Sequence, residues 1–128
     1  MDMDIEFDFE SGFAPEDMDR RLKELLEEGN DELEALMTDV ALETERQTRQ
    51  RTPVQTGNLR ASWESNVEVS RDRMLAEVFT NVDYAQYVEL GIGQPAQPML
   101  RPAVDTVMRR AEPDIMETVF RVAERVGE

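Results

Sequence analysis

Two long runs of apolar residues at helical steps, separated by a stretch of period two, restrict what this chain of 128 residues can fold into more than any other feature. Leu22, Leu25, Leu26, Leu33, Leu36, Met37, Val40 and Ala41 form the first run. Leu100, Val104, Val107, Met108, Ala111, Ile115, Met116, Val119, Phe120 and Val126 form the second. Spacing of three and four puts an apolar stripe along one side of a helix, and that side must be covered by another element. Between the runs, Leu59, Ala61, Trp63, Ser65, Val67 and Val69 alternate with Arg60, Ser62, Glu64, Asn66 and Glu68. This alternation predicts a half-buried strand starting at Leu59, with Trp63 in the core. Arg71-Asp72-Arg73 reads as a turn, and Met74 to Thr80 as its antiparallel partner, with Ala76 and Val78 on one face and Leu75 and Phe79 on the other, so that both faces are expected to be covered. At the N-terminus Met3, Ile5, Phe7 and Phe9 alternate with five acids, which predicts a strand whose acidic side discourages edge-to-edge pairing.

Proline and glycine punctuate the rest. Pro15 followed by Glu16, Asp17 and Asp19 suits a first helical turn, where acids meet the positive end of the helix dipole. Gly29-Asn30 predicts a kink or brief interruption, and Thr52-Pro53 ends the helix because the residue before proline avoids helical geometry. Gly57 is expected to supply a positive φ. Tyr84, Tyr87 and Val88 give one or two helical turns within 83–90, before the irregular loop of Gly91, Gly93, Pro95 and Pro98. Pro113 predicts a kink, or a fresh helix. The element order predicts an α+β fold: an antiparallel β-sheet packed against a long N-terminal helix and a long C-terminal helix. The whole of 1–128 reads as one domain: 1–14 an acidic strand and linker, 15–52 the long helix, 53–98 a β-meander with the short helix and Gly/Pro loop, and 99–126 the C-terminal helix.

With neither cysteine nor histidine, the chain lacks disulfides, thiol nucleophiles and the commonest general base and metal ligand. Glu64, Glu68, Glu77, Asp83 and Glu89 invite a glycosidase or Mg²⁺ reading, but nothing in the sequence sets any two at the required separation, and alternation on solvent-facing strands accounts for the first three. GIGQPAQP lacks the lysine and the spacing of a phosphate-binding loop. No enzyme, cofactor or metal is expected. No apolar segment approaches the ~20 residues that span a bilayer, and no membrane or export role is expected. The formal charge is −15, with 17 acids and 3 bases in residues 1–45 and 12 acids and 11 bases in the remainder. Such a balance repels phosphates and argues against binding nucleic acid. Lys23 is the only lysine. A halophilic origin, in which strong salt screens carboxylate repulsion, and a single solvated acidic face both account for this pattern.

The string TPVQTGNLRASW, followed at a distance by TNVDYAQYVELGIGQPAQPMLRPA, resembles the tail-component family of siphophages, neck or tail-completion proteins encoded between the portal and major tail genes. The matching positions are Pro53, Val54, Thr56, Gly57, Leu59, Arg60 and Ser62, then Asn81, Tyr84, Ala85, Tyr87, Val88, Glu89, Gly91 and Gly93, and finally Pro98, Leu100, Arg101, Pro102 and Ala103. Gln55, Ile92 and Met99 depart from the pattern, and the likeness runs from about residue 20 to the C-terminus without the acidic N-terminal strand. The resemblance implies a structural virion protein at the head–tail junction, assembled in the host cytoplasm. As a homo-oligomeric ring, hexameric in preference to dodecameric, it would join portal-side connector proteins to the tail tube, and genome DNA would pass through without specific binding. Cyclic assembly needs two different complementary patches per subunit. The expected interface residues are Arg60, Arg71, Arg73, Tyr84, Tyr87, Glu89, Gly91, Gly93, Pro98 and Arg101, with the arginines facing acids of a neighbour. The competing class is a monomeric acidic module that mimics DNA and inhibits a nucleic-acid enzyme.

Overall fold

A computed structural model describes residues 1–8, 31–53, 57–69 and 73–126. Among these residues seven elements follow one another: β1 (Asp2–Asp8), α1 (Asp31–Arg51), α2 (Gly57–Ser62), β2 (Glu64–Val69), β3 (Arg73–Phe79), α3 (Ala85–Leu90) and α4 (Leu100–Val126). The strands form one antiparallel sheet in the order β1-β3-β2. Helix α1 packs on β2 and β3, and α4 packs along α1 and touches β1. The architecture is α+β, as expected, with a small sheet and a long C-terminal helix of 27 residues.

Register decides which sheet face is dry. Val78, Ala76 and Met74 of β3 are buried, opposite Ser65, Val67 and Val69 of β2 on one side. On the other side Val78 stands opposite Met3 of β1. The alternate positions of β3, Phe79, Glu77 and Leu75, are half-buried and stand opposite Glu64, Asn66 and Glu68, all exposed. In β1 the residues paired with that set are Asp2, Asp4 and Glu6. The face away from α1 thus takes acidic positions from both flanking strands, as a period-two pattern demands.

Several expectations need correction. The described N-terminal helix is Asp31–Arg51, shorter than 15–52, and the expected start at Pro15 and kink at Gly29-Asn30 lie outside the described residues, as does most of the turn at Arg71-Asp72-Arg73. No strand begins at Leu59: residues Gly57–Ser62 are helical and β2 starts at Glu64. Leu59 and Trp63 are four apart, a spacing that fits a helix and a strand equally, and exposed Ala61 shows that the helical phase holds. The Ser62 hydroxyl closes the turn at 2.6 Å from the Leu59 carbonyl and meets the Thr80 hydroxyl at 2.6 Å. Gly57 is a helix-starting residue without a positive φ. Pro113 lies inside an uninterrupted α4 and starts no fresh helix. It faces solvent, while buried Val107, Ile115 and Val119 keep one phase on either side of it, so both halves turn the same face to the core.

The buried face of α1 changes character along its length. Leu33, Met37, Val40 and Ala41 are apolar, but Thr44, Gln47 and Thr48 continue the stripe. The hydroxyls of Thr44, Thr48 and Thr52 each donate to the carbonyl four residues back, at 2.8, 2.7 and 2.8 Å, so these polar groups enter the core satisfied. Trp63 Nε1 donates to Thr52 Oγ1 at 2.9 Å, and Arg49 Nη2 donates to the Trp63 carbonyl at 2.6 Å and meets Glu45 at 2.7 Å. Glu45 also accepts from Ser65 Oγ at 2.6 Å. The end of α1 is thereby tied to the start of β2.

Candidate functional site

The short helix α3 has an inward side of Ala85 and Val88 and an outward side on which Tyr87 and Leu90 stand exposed beside Gln86. Tyr84, Tyr87 and Leu90 are 38, 44 and 67% exposed, and Ile92 beyond the helix is 54% exposed. Four large apolar or aromatic side chains thus share one corner. Single exposed apolar residues are ordinary, whereas several on one short element make it the candidate for a contact.

The corner is rigidly built. Gly91 terminates α3 in the left-handed region at φ 75°, and its N–H donates to the Tyr87 carbonyl at 2.9 Å, with that of Ile92 on the same oxygen at 3.1 Å. A Cβ on Gly91 would lie 2.6 Å from the Ala96 nitrogen, so glycine is required there by both conformation and space. Gln97 N donates back to the Val88 carbonyl at 2.9 Å and closes the loop. The Glu89 carboxylate then reaches α4: Oε1 accepts from Met99 N at 3.0 Å and Leu100 N at 2.8 Å, and Oε2 from Arg101 N at 3.4 Å. An anion placed there satisfies amides that have no partner within the helix and meets the positive end of its dipole. Glu89 is therefore committed to capping α4.

A second feature lies between α1 and α4. A groove of about 200 Å³ has a floor of Leu36, Val40, Val107 and Ala111, with Asp39, Glu43, Gln47, Arg110 and Asp114 around it. Glu43 holds Arg46 through paired hydrogen bonds, Nε to Oε2 at 3.0 Å and Nη2 to Oε1, and accepts from Gln47 Nε2 at 2.9 Å. The Arg46 bond, then that of Gln47, draws the Glu43 carboxyl from 4.5 down to about 2, and the same contact raises the Arg46 guanidinium. Glu32 and Arg121 join the helices further along at 2.6 Å.

Of the sequence-expected site residues, the structure brings together Tyr84, Tyr87, Glu89 and Gly91, and places Gly93, Pro98 and Arg101 in the adjoining loop and the first turn of α4. Gly93 has φ 76° with open space around it. Arg60 is half-buried on α2, apart from this loop in the chain. Arg71 and the side chain of Arg73 lie outside the described residues. Leu90 and Ile92 were missed as surface residues. The signal was available, since Tyr87 and Leu90 are three apart on a helix whose other side already holds Ala85 and Val88. The α1–α4 groove was missed because two helices far apart in sequence build it.

Among the described residues, no group of three or more acids is placed to hold a metal ion, and no helix is long and apolar enough to cross a membrane. Fold and site thus define a small α+β protein whose distinguishing features are an apolar corner and an acidic sheet face. A family model described as "Bacteriophage HK97-gp10, putative tail-component" matches residues 16–91, more than half of the chain, and the chain belongs to that family. It is accordingly a phage tail-component structural protein of the virion, whose partners are other virion proteins. Strand β1 and the Pro98-to-Ala103 motif lie outside the matched segment. No curated protein and no solved structure matches it.

Proposed function

We propose that this tail component is a ring-forming subunit of the head–tail junction, a tail-completion or neck protein joining portal-side proteins to the tail tube. The observation that carries this reading is the exposed corner of Tyr84, Tyr87, Leu90 and Ile92, held rigid by the Gly91 turn and the Glu89 cap. A preorganised apolar surface loses little entropy on association, which favours a permanent contact between identical subunits. Six copies match the symmetry of a tail and twelve that of a portal, and six is the preferred number. The acidic sheet face, turned to the lumen, would repel DNA and let the genome slide past. The excess of 29 acids over 14 bases and the single lysine support an origin in concentrated salt.

The acidic face also supports a second reading, a DNA-mimicking inhibitor, which would act as a monomer. Light scattering of the purified protein across a salt series, followed by electron microscopy of the assembly, separates the two. A ring with the mass of six subunits is expected. A monomer at every concentration and salt would end the ring proposal, and full stability in dilute buffer would end the halophilic one.

A further inference from the structure

We infer that the two surfaces meeting between copies are the α3 corner of one subunit and the α1–α4 groove of the next, with Tyr87 and Leu90 entering the groove. This rests on the ring reading and specifies its contact. The occupant is a second copy of this chain because the chain carries both halves of a match in size and charge.

Size is the first argument. A closed apolar cavity of about 150 Å³ is enough to bind a benzene ring. The groove here measures about 200 Å³ and is open at the top, so one phenol ring with a neighbouring aliphatic tip fills it. Tyrosine suits such a place, with an apolar body for the Leu36, Val40, Val107 and Ala111 floor and a hydroxyl that needs a partner where Gln47 and the charged residues surround it. Charge is the second argument. The groove carries Asp39 and Asp114 beyond the internally paired Glu43, against a single Arg110. Beside the corner, Arg101 lines the same cleft as Leu90, is exposed, and has no ion pair among the described residues; Asp2 and Glu89 line that cleft too, but the Glu89 carboxylate is already held by the amides at the start of α4, and Asp2 lies across the cleft on β1. Docking the corner brings that cation to the acidic rim, which steers and orients the encounter.

Geometry keeps corner and groove apart on one subunit. Glu89 fixes the corner to the start of α4, and the groove's Arg110 lies ten residues further along that helix, about 15 Å at 1.5 Å per residue. Two copies that exchanged corner for groove about a two-fold axis would stop at a dimer, and oxidation would then give no ladder, whereas a corner passed on to a third copy continues the assembly. Two different patches on a rigid strut generate a ring when the rotation closes.

The chain has no cysteine, so introduced thiols report cleanly. The Ile92→Cys/Arg110→Cys double variant keeps Tyr87, Leu90 and the acidic rim, and a non-reducing gel separates a bridge within one chain, which leaves a monomer and would count against the contact, from bridges between copies. Mild oxidation is expected to give a ladder of covalent oligomers up to the ring size, while either single variant gives none. Leu90→Asp, at a site too exposed to endanger folding, is expected to raise the concentration needed for assembly about tenfold or more while leaving the circular dichroism unchanged. A wild-type protein that forms rings, with no ladder from the double variant and no effect of Leu90→Asp, would overturn this contact and leave the ring standing. A single Ile92→Cys variant that dimerises quantitatively would also overturn it, in favour of a two-fold contact. A wild-type monomer would remove both readings.

Discussion

Gly91 carries two demands at one residue, a left-handed backbone and a neighbour whose nitrogen leaves no room for a Cβ, whereas Gly93 carries only the first. Gly91→Ala should therefore cost about 2 kcal/mol or more and Gly93→Ala about 1 kcal/mol, read as the shift in urea midpoint. Removing the Glu89 carboxylate leaves three amides at the start of α4 unpartnered; Glu89→Ala should cost about 2 kcal/mol and Glu89→Gln, which keeps an acceptor without the charge, about 1 kcal/mol. Glu43 makes stability depend on pH. Its folded value of about 2 lies below the ordinary 4.5, so its contribution is fully present above 4.5 and disappears as pH falls through about 2. Because Arg46 is fully exposed, solvent screens the pair and the contribution is small. The difference in urea midpoint between Glu43→Gln and the wild type should be smaller at pH 2, where half of the folded-state carboxyls are protonated, than at pH 6.

At the level of elements, the join between α1 and β2 depends on Trp63. Its indole N–H meets Thr52, the last rung of the threonine series, and its carbonyl accepts from Arg49. Trp63→Phe removes the donor and leaves a gap in a fully buried site, and should cost about 2 to 3 kcal/mol by chemical denaturation. Helix α4 continues through Pro113, with its buried stripe on the same face before and after the proline. Since Pro113 is exposed, Pro113→Ala should restore one backbone bond without disturbing the core and stabilise the fold by about 1 to 3 kcal/mol. The threonine stripe at 44, 48 and 52 escaped a reading based on apolar spacing alone, although the four-residue step between hydroxyls was present.

At the scale of the whole molecule, the expected ring is a matter of surfaces, and only part of them could be read from the chain. The apolar periods determined the inward stripe of α4, Val104, Val107, Ile115 and Val119, on either side of a proline expected to kink or restart it, and the pairing of β2 with β3, but not which face of β3 would be the buried one. They did so because a stripe or an alternation commits a face to the interior whatever covers it. The turn chemistry around Gly91, and the motifs that led to the tail-component family, were legible for the same local reason. Tertiary structure alone decided the rest. The 57–62 segment had a spacing that fits two conformations, and packing of Leu59 and Trp63 selected the helix. Strand β3, the last of the three in chain order, became the middle of the sheet because β1 from the N-terminus pairs with its free edge. Glu89 became a helix cap instead of a surface contact because the loop folds back onto α3 and brings α4's free amides within reach of its carboxylate. The groove between α1 and α4 exists only once the two helices lie side by side, since its walls are residues some seventy positions apart, a distance over which local pattern carries no information.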